Sequence, residues 1–116
     1  MTATKKLTEN SLRYVSGGSA GETSDDSRFL NVLLQGRNYQ CDRYGTFRIR
    51  TQDHDGEIKR AWSSVGVDVT IHSGNIFTSG DPNVYRINGK VVSQYDAMEH
   101  AMKVVGKRLK QSDWDW

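Results

Sequence analysis

A chain of 116 residues fits one domain with a single core, and 35% hydrophobic residues with a mean hydropathy of −0.70 keep that core lean. The net charge of +2 excludes a globally basic protein, but it is uneven: residues 37–50 hold four arginines against Asp42, and residues 84–110 hold six cations against two acids. No apolar run approaches the ~18 residues of a membrane span, and a lone cysteine, Cys41, excludes an internal disulfide and fits a reducing compartment.

Residues 1–11 are polar and read as loose; they lack the apolar stretch of a signal peptide, so a cytoplasmic location is expected. Leu12–Val15 suits a short strand. Residues 16–27, rich in Ser, Gly and Asp, offer nothing to bury and read as a flexible loop; no P-loop lysine follows their glycines. Arg28–Leu34 alternates Leu30, Val32 and Leu34 on one face, which predicts a strand. Cys41 reads as a buried, inert thiol. Arg43–Thr51 alternates as well, with Phe47 and Ile49 facing one way and Arg48 and Arg50 the other. Asp53–Gly56 predicts a hairpin turn, with the returning strand from Ile58 to about Ser64 carrying Ile58, Arg60 and Trp62 on one face.

Val65, Val67, Val69 and Ile71 predict a further strand, with Asn75–Thr78 as a short partner. Val84–Ile87, Asn88-Gly89 and Lys90–Val92 form a hairpin with favoured two-residue turn chemistry. Ser93 with Asp96 three residues on predicts a helix start, and Tyr95, Met98, Met102, Val105 and Leu109 carry that helix to Lys110. The expected architecture is α+β: an antiparallel sheet of five to seven strands with one C-terminal helix packed on it. Residues 1–116 form a single domain, with flexible 1–11 and 16–27 and a short acidic-aromatic tail, 111–116.

Catalytic chemistry finds little support. His54 lies in a turn between two aspartates, His72 ends a strand and His100 sits on the last helix. Their spacing predicts no metal site, and no Gly-x-Ser-x-Gly nucleophile elbow occurs. No catalytic residue, metal or cofactor is expected.

The stronger signal is the interleaving of cations and rings. Arg37, Arg43, Arg48, Arg50, Lys59 and Arg60 suit phosphates, and Tyr39, Tyr44 and Trp62 offer ring faces for bases, worth about 1–3 kcal/mol per base. On a strand, Arg48 and Arg50 would project from one face about 7 Å apart. The competing reading places Trp62 and Phe47 in the core and leaves the arginines as solvated charges. The tail pairs Trp114 and Trp116 with aspartates, which suits a docking peptide for a partner; the alternative folds both indoles back on their own sheet or a neighbouring subunit.

Arg43-Tyr-Gly-Thr-Phe-Arg-Ile-Arg-Thr51 and the strand–turn–helix segment from Val84 to Lys103 resemble the Drc type of single-stranded-DNA-binding RNA polymerase cofactors of podoviruses. That resemblance implies binding of single-stranded DNA, assembly into a homo-oligomer, help to a viral RNA polymerase and a place in the host cytoplasm. A non-enzymatic single-stranded-DNA-binding protein with no membrane partner is therefore the expected function. Two alternatives stay open: a small anti-defence protein that sequesters a nucleotide messenger or blocks a host enzyme, and a structural protein that docks through its Trp-rich tail.

Overall fold

The structure is a computed structural model and describes residues 20–71 and 82–116. Helix α1 covers residues 20–33. It is followed by α2 (Thr46–Thr51), α3 (Asp55–Ser63), β1 (Asp68–Thr70), β2 (Val84–Ile87), β3 (Lys90–Val92), α4 (Gln94–Val105) and α5 (Gln111–Trp114). The three strands form one antiparallel sheet in the order β1-β2-β3. Val69 lies opposite Tyr85, and Tyr85 opposite Val92, so these three share the sheet face turned to the core. Asp68, Arg86 and Val91 share the other. Helix α3 packs beside β1 and α4 beside β2.

The α+β class stands, but the larger sheet with one helix does not: among the described residues there are three strands and five helices. Arg28–Leu34 is helical up to residue 33, because Phe29, Leu30, Leu33 and Leu34 are the buried residues and their spacing is that of a helical stripe. The Arg43–Thr51 strand is replaced by α2, and the strand from Ile58 by α3. Ile58, Ala61, Trp62 and Val65 recur at helical spacing and are all buried, whereas Arg60, expected beside Trp62, faces solvent. Asp53 makes no hairpin; its carboxylate accepts the Asp55 N–H at 3.2 Å just ahead of α3, and Asp55 and Glu57 complement the helix dipole in the first turn.

The second hairpin forms as its sequence indicates, with Asn88 and Gly89 at φ 52° and 81°, the positive pair that a type I′ turn needs. Ser93 caps α4, its Oγ accepting from the Asp96 N–H at 3.0 Å. The helix stops at Val105 instead of Lys110, because Gly106 adopts φ 77° and returns its N–H to the Met102 carbonyl at 2.8 Å. The predicted strands at Leu12–Val15 and Asn75–Thr78, the loose residues 1–11, the first part of loop 16–27 and His72 lie outside the described residues.

The rest of that loop, residues 20–27, is the polar half of α1 and is largely buried. Each of its buried polar side chains reaches a tertiary partner. Ser24 Oγ donates to the Tyr44 carbonyl at 2.8 Å, and Ser27 Oγ accepts the Tyr44 N–H at 2.9 Å. Glu22 accepts the Asn83 N–H at 2.6 Å. Asp26, at the centre of the core, accepts from Tyr85 Oη at 2.6 Å, Gln94 Nε2 at 2.8 Å and Trp62 Nε1 at 3.2 Å. One carboxyl thus ties α1 to α3, β2 and α4. Burial pushes its pKa up to about 7, against the pull of its three hydrogen bonds and with some help from the Asp25 charge. Cys41 is buried as expected, and its thiol is pushed up to about 12 by burial and by the Glu57 charge.

Candidate nucleic-acid interface

Rings and cations of the expected interface part company. Trp62 is 0% exposed, stacked on Phe29 at 6.0 Å and edge-on to Tyr85 at 5.6 Å, so neither face of its indole can take a base. Tyr44 is also buried. Its ring stacks on His54 at 3.6 Å, and its hydroxyl donates to Glu57 Oε1 at 2.7 Å. Burial and the Glu57 hydrogen bond raise the Tyr44 pKa well above that of a free phenol. His54 is held between Tyr44, Gln52 Oε1 at 2.7 Å and Glu57. Among the described residues, no group of His, Cys, Asp and Glu is placed to hold a metal ion, and no helix is long and apolar enough to cross a membrane.

The tail folds back as α5 onto α1 rather than standing clear. Trp114 is buried edge-on to Phe29 at 5.9 Å. Arg43 closes over this turn: its guanidinium lies 3.5 Å from the Trp116 ring centre and donates to the Trp114 and Trp116 carbonyl oxygens at 3.1 and 2.7 Å. Burial and the neighbouring Arg28 charge lower the Arg43 pKa, and Arg28 itself reaches Asp115 at 3.5 Å. Arg43 is therefore committed to the tail and cannot meet a phosphate without releasing it. Trp116 keeps its other face in solvent, at 72% exposure.

Arg48 and Arg50 do not form a phosphate-spaced pair. Two positions along a helix rotate a side chain by about 200°, so they leave α2 on different sides. Arg48 is exposed near Gln52, while Arg50 is half-buried with its Nε lacking a hydrogen-bond partner among the described residues. Lys59 and Arg60 stand on the solvent side of α3, opposite Ile58, Ala61 and Trp62. Arg37 is exposed on the connection between α1 and α2. Among the described residues, no carboxylate lies within ion-pair distance of Arg37, Arg48, Lys59 or Arg60.

Beside Arg37 the surface opens into a groove of about 540 Å³ lined by Leu34, Gly36, Arg37, Asn38, Tyr39, Ser64, Val65 and Val104. The buried Leu34 and Val65 floor it, Val104 of α4 forms an apolar wall, and polar groups form the rim. Its connecting turn is braced by hydrogen bonds to the end of α1. The Arg37 N–H donates to the Leu34 carbonyl at 2.9 Å, Gln40 Nε2 to the Asn31 carbonyl at 3.0 Å, and Asn31 Nδ2 to the Cys41 carbonyl at 2.8 Å. Tyr39 stands out from this turn, 58% exposed.

The structure thus brings Arg37 and Tyr39 together and withdraws Trp62, Tyr44, Arg43 and Trp114 from solvent-facing roles. Gly36, Asn38, Ser64 and Val104 join the groove without a functional signal in the sequence; Gly36 two residues before Asn38 is the available turn signal, while Ser64 and Val104 arrive only through helix packing. Phe47, which the competing reading places in the core with Trp62, is 75% exposed on α2 next to Arg48. Comparison with protein-family models, with characterised proteins and with solved structures found no match to this chain.

Proposed function

We propose that this is a non-enzymatic single-stranded-DNA-binding protein that holds the phosphate backbone with cations on helix faces and a turn, not along a sheet. The observation that carries this reading is the exposure of Arg37, Arg48, Lys59 and Arg60 with no carboxylate at ion-pair distance among the described residues, together with the open ring of Tyr39. Unpaired surface cations attract a polyanion through counterion release, and an exposed ring selects unpaired bases over a stacked duplex. Assembly into an oligomer would join the cation clusters of several subunits and raise avidity. Assistance to a viral RNA polymerase, as the Drc-type resemblance implies, belongs to the same proposal.

Each phosphate neutralised contributes about −0.7 to the slope of log affinity against log salt on single strands. Replacing Arg37, Lys59 and Arg60 together with alanine should flatten that slope by about 2 and weaken binding at low salt. All three side chains are exposed, so the thermal midpoint should barely move. A folded triple variant with the wild-type slope would refute the assignment.

A further inference from the structure

The turn that carries Tyr39 is unusual in its backbone. Tyr39 has φ 67°, one of two residues other than glycine with positive φ among the described residues; the other, Asn88, occupies a hairpin turn that calls for it. Left-handed backbone is common for Asn and unfavourable for a bulky aromatic side chain. A strained residue persists where its surroundings over-determine it, and such residues gather at binding sites. Here the strain does not serve packing, because the ring it directs stands 58% exposed at the rim of the groove. Hydrogen bonds from Gln40 and Asn31 tie the turn that carries this ring to the end of α1.

We infer that the groove is a capture site for one nucleotide of the bound strand, with the base against the Tyr39 ring, over the Leu34–Val65 floor and beside the Val104 wall, and its phosphate on Arg37. This inference rests on the single-stranded-DNA reading and adds to it the point at which a base, not only charge, is recognised. The volume lies inside the range of about 300–1,000 Å³ common for small-ligand sites, and its mixture of an apolar floor with a few polar rim groups is the composition such sites share. At the rim, Asn38 supplies an amide that can pair with a base edge, and Ser64, whose hydroxyl donates to the Ala61 carbonyl at 2.7 Å, can still accept. A duplex base, stacked on both sides, cannot enter. The site therefore discriminates against duplex by shape, whereas the cations outside the groove attract both forms.

Tyr39→Gly separates binding from folding, because glycine accepts positive φ without strain. That variant should melt no lower than wild type. The probes are a fluorescent ten-nucleotide oligothymidylate and the same oligomer carrying abasic positions throughout. Wild type should prefer the oligothymidylate, and Tyr39→Gly should lose roughly 5- to 150-fold in affinity for it, the range expected for one lost stack. Affinity for the abasic strand should change little, so the preference collapses. Tyr39→Phe should restore it. A well-folded Tyr39→Gly protein that keeps the full preference for bases overturns the capture site while leaving charge-driven binding standing. Failure of the wild type to bind either strand at low salt overturns both.

Discussion

Replacing Trp62 with alanine should destabilise the fold by about 3–5 kcal/mol, the usual cost of emptying a buried tryptophan site. That loss is a large share of the roughly 5–15 kcal/mol available to a domain. The indole is fully buried between Phe29 and Tyr85, and its N–H donates to Asp26, so truncation leaves a cavity and removes one of three donors to a buried carboxyl. Trp62→Phe refills most of the space and gives up only the N–H, so it should lose less and remain folded. Urea midpoints of the two variants give the ranking. If Trp62 stacked bases instead, Trp62→Phe would impair DNA binding at unchanged stability; the buried geometry predicts the reverse, with lowered stability and intact binding.

Asp26→Leu should be as damaging by a different route. It leaves Tyr85, Gln94 and Trp62 without the acceptor that each now uses inside the core. Unsatisfied buried donors cost about 1–3 kcal/mol each, so the total is on the order of several kcal/mol. Asp26→Asn keeps an oxygen for Tyr85 and Trp62, and its amide can pair with Gln94 once that side chain turns its oxygen inward. The informative property of this variant is its pH dependence. Folded Asp26 holds its proton up to about pH 7, whereas the unfolded residue loses it near 3.8. An acid with a raised folded pKa favours the fold most at low pH, and this contribution declines as pH climbs from about 4 through about 7. Asp25, the charge that helps to push it upward, is on its own helix, and Tyr85, Trp62 and Gln94 face it from the other elements with no cation among them. Asp26→Asn should therefore gain on wild type between pH 5 and pH 8, by an amount on the order of a few kcal/mol. Parallel pH profiles for the two proteins would show that Asp26 does not hold a proton in the core.

The parts of the fold that were legible in the sequence are those whose signals are local. Asn88-Gly89 dictates its own turn, and Ser93 with Asp96 closes the first turn of α4 without help from elsewhere. Helices α2 and α3 are hidden in the sequence because short apolar runs alternate by accident as easily as by design. The Ile58, Ala61, Trp62, Val65 stripe was present at helical spacing, but Asp55-Gly56 also spells a hairpin. The polar half of α1 had no local signal at all. Glu22 and Asp26 are tolerable in the core only because Asn83, Tyr85 and Gln94 meet them from about 60 to 70 residues away along the chain. The site shows the same division: the exposure of Arg37 and Lys59 follows from their charge, whereas the burial of Tyr44 and the commitment of Arg43 to the tail depend on tertiary partners.

The most direct test of the account is the anisotropy of a labelled oligothymidylate, and of a duplex of equal length, titrated with wild-type protein at two salt concentrations. Four neutralised phosphates imply a slope near −3, so affinity for the single strand should fall about 50-fold between about 50 and 200 mM salt. The single strand should bind more tightly than the duplex at both. No binding at low salt, equal or greater affinity for duplex, or an affinity indifferent to salt would contradict the claim that these exposed cations and the ring beside them grip single-stranded DNA.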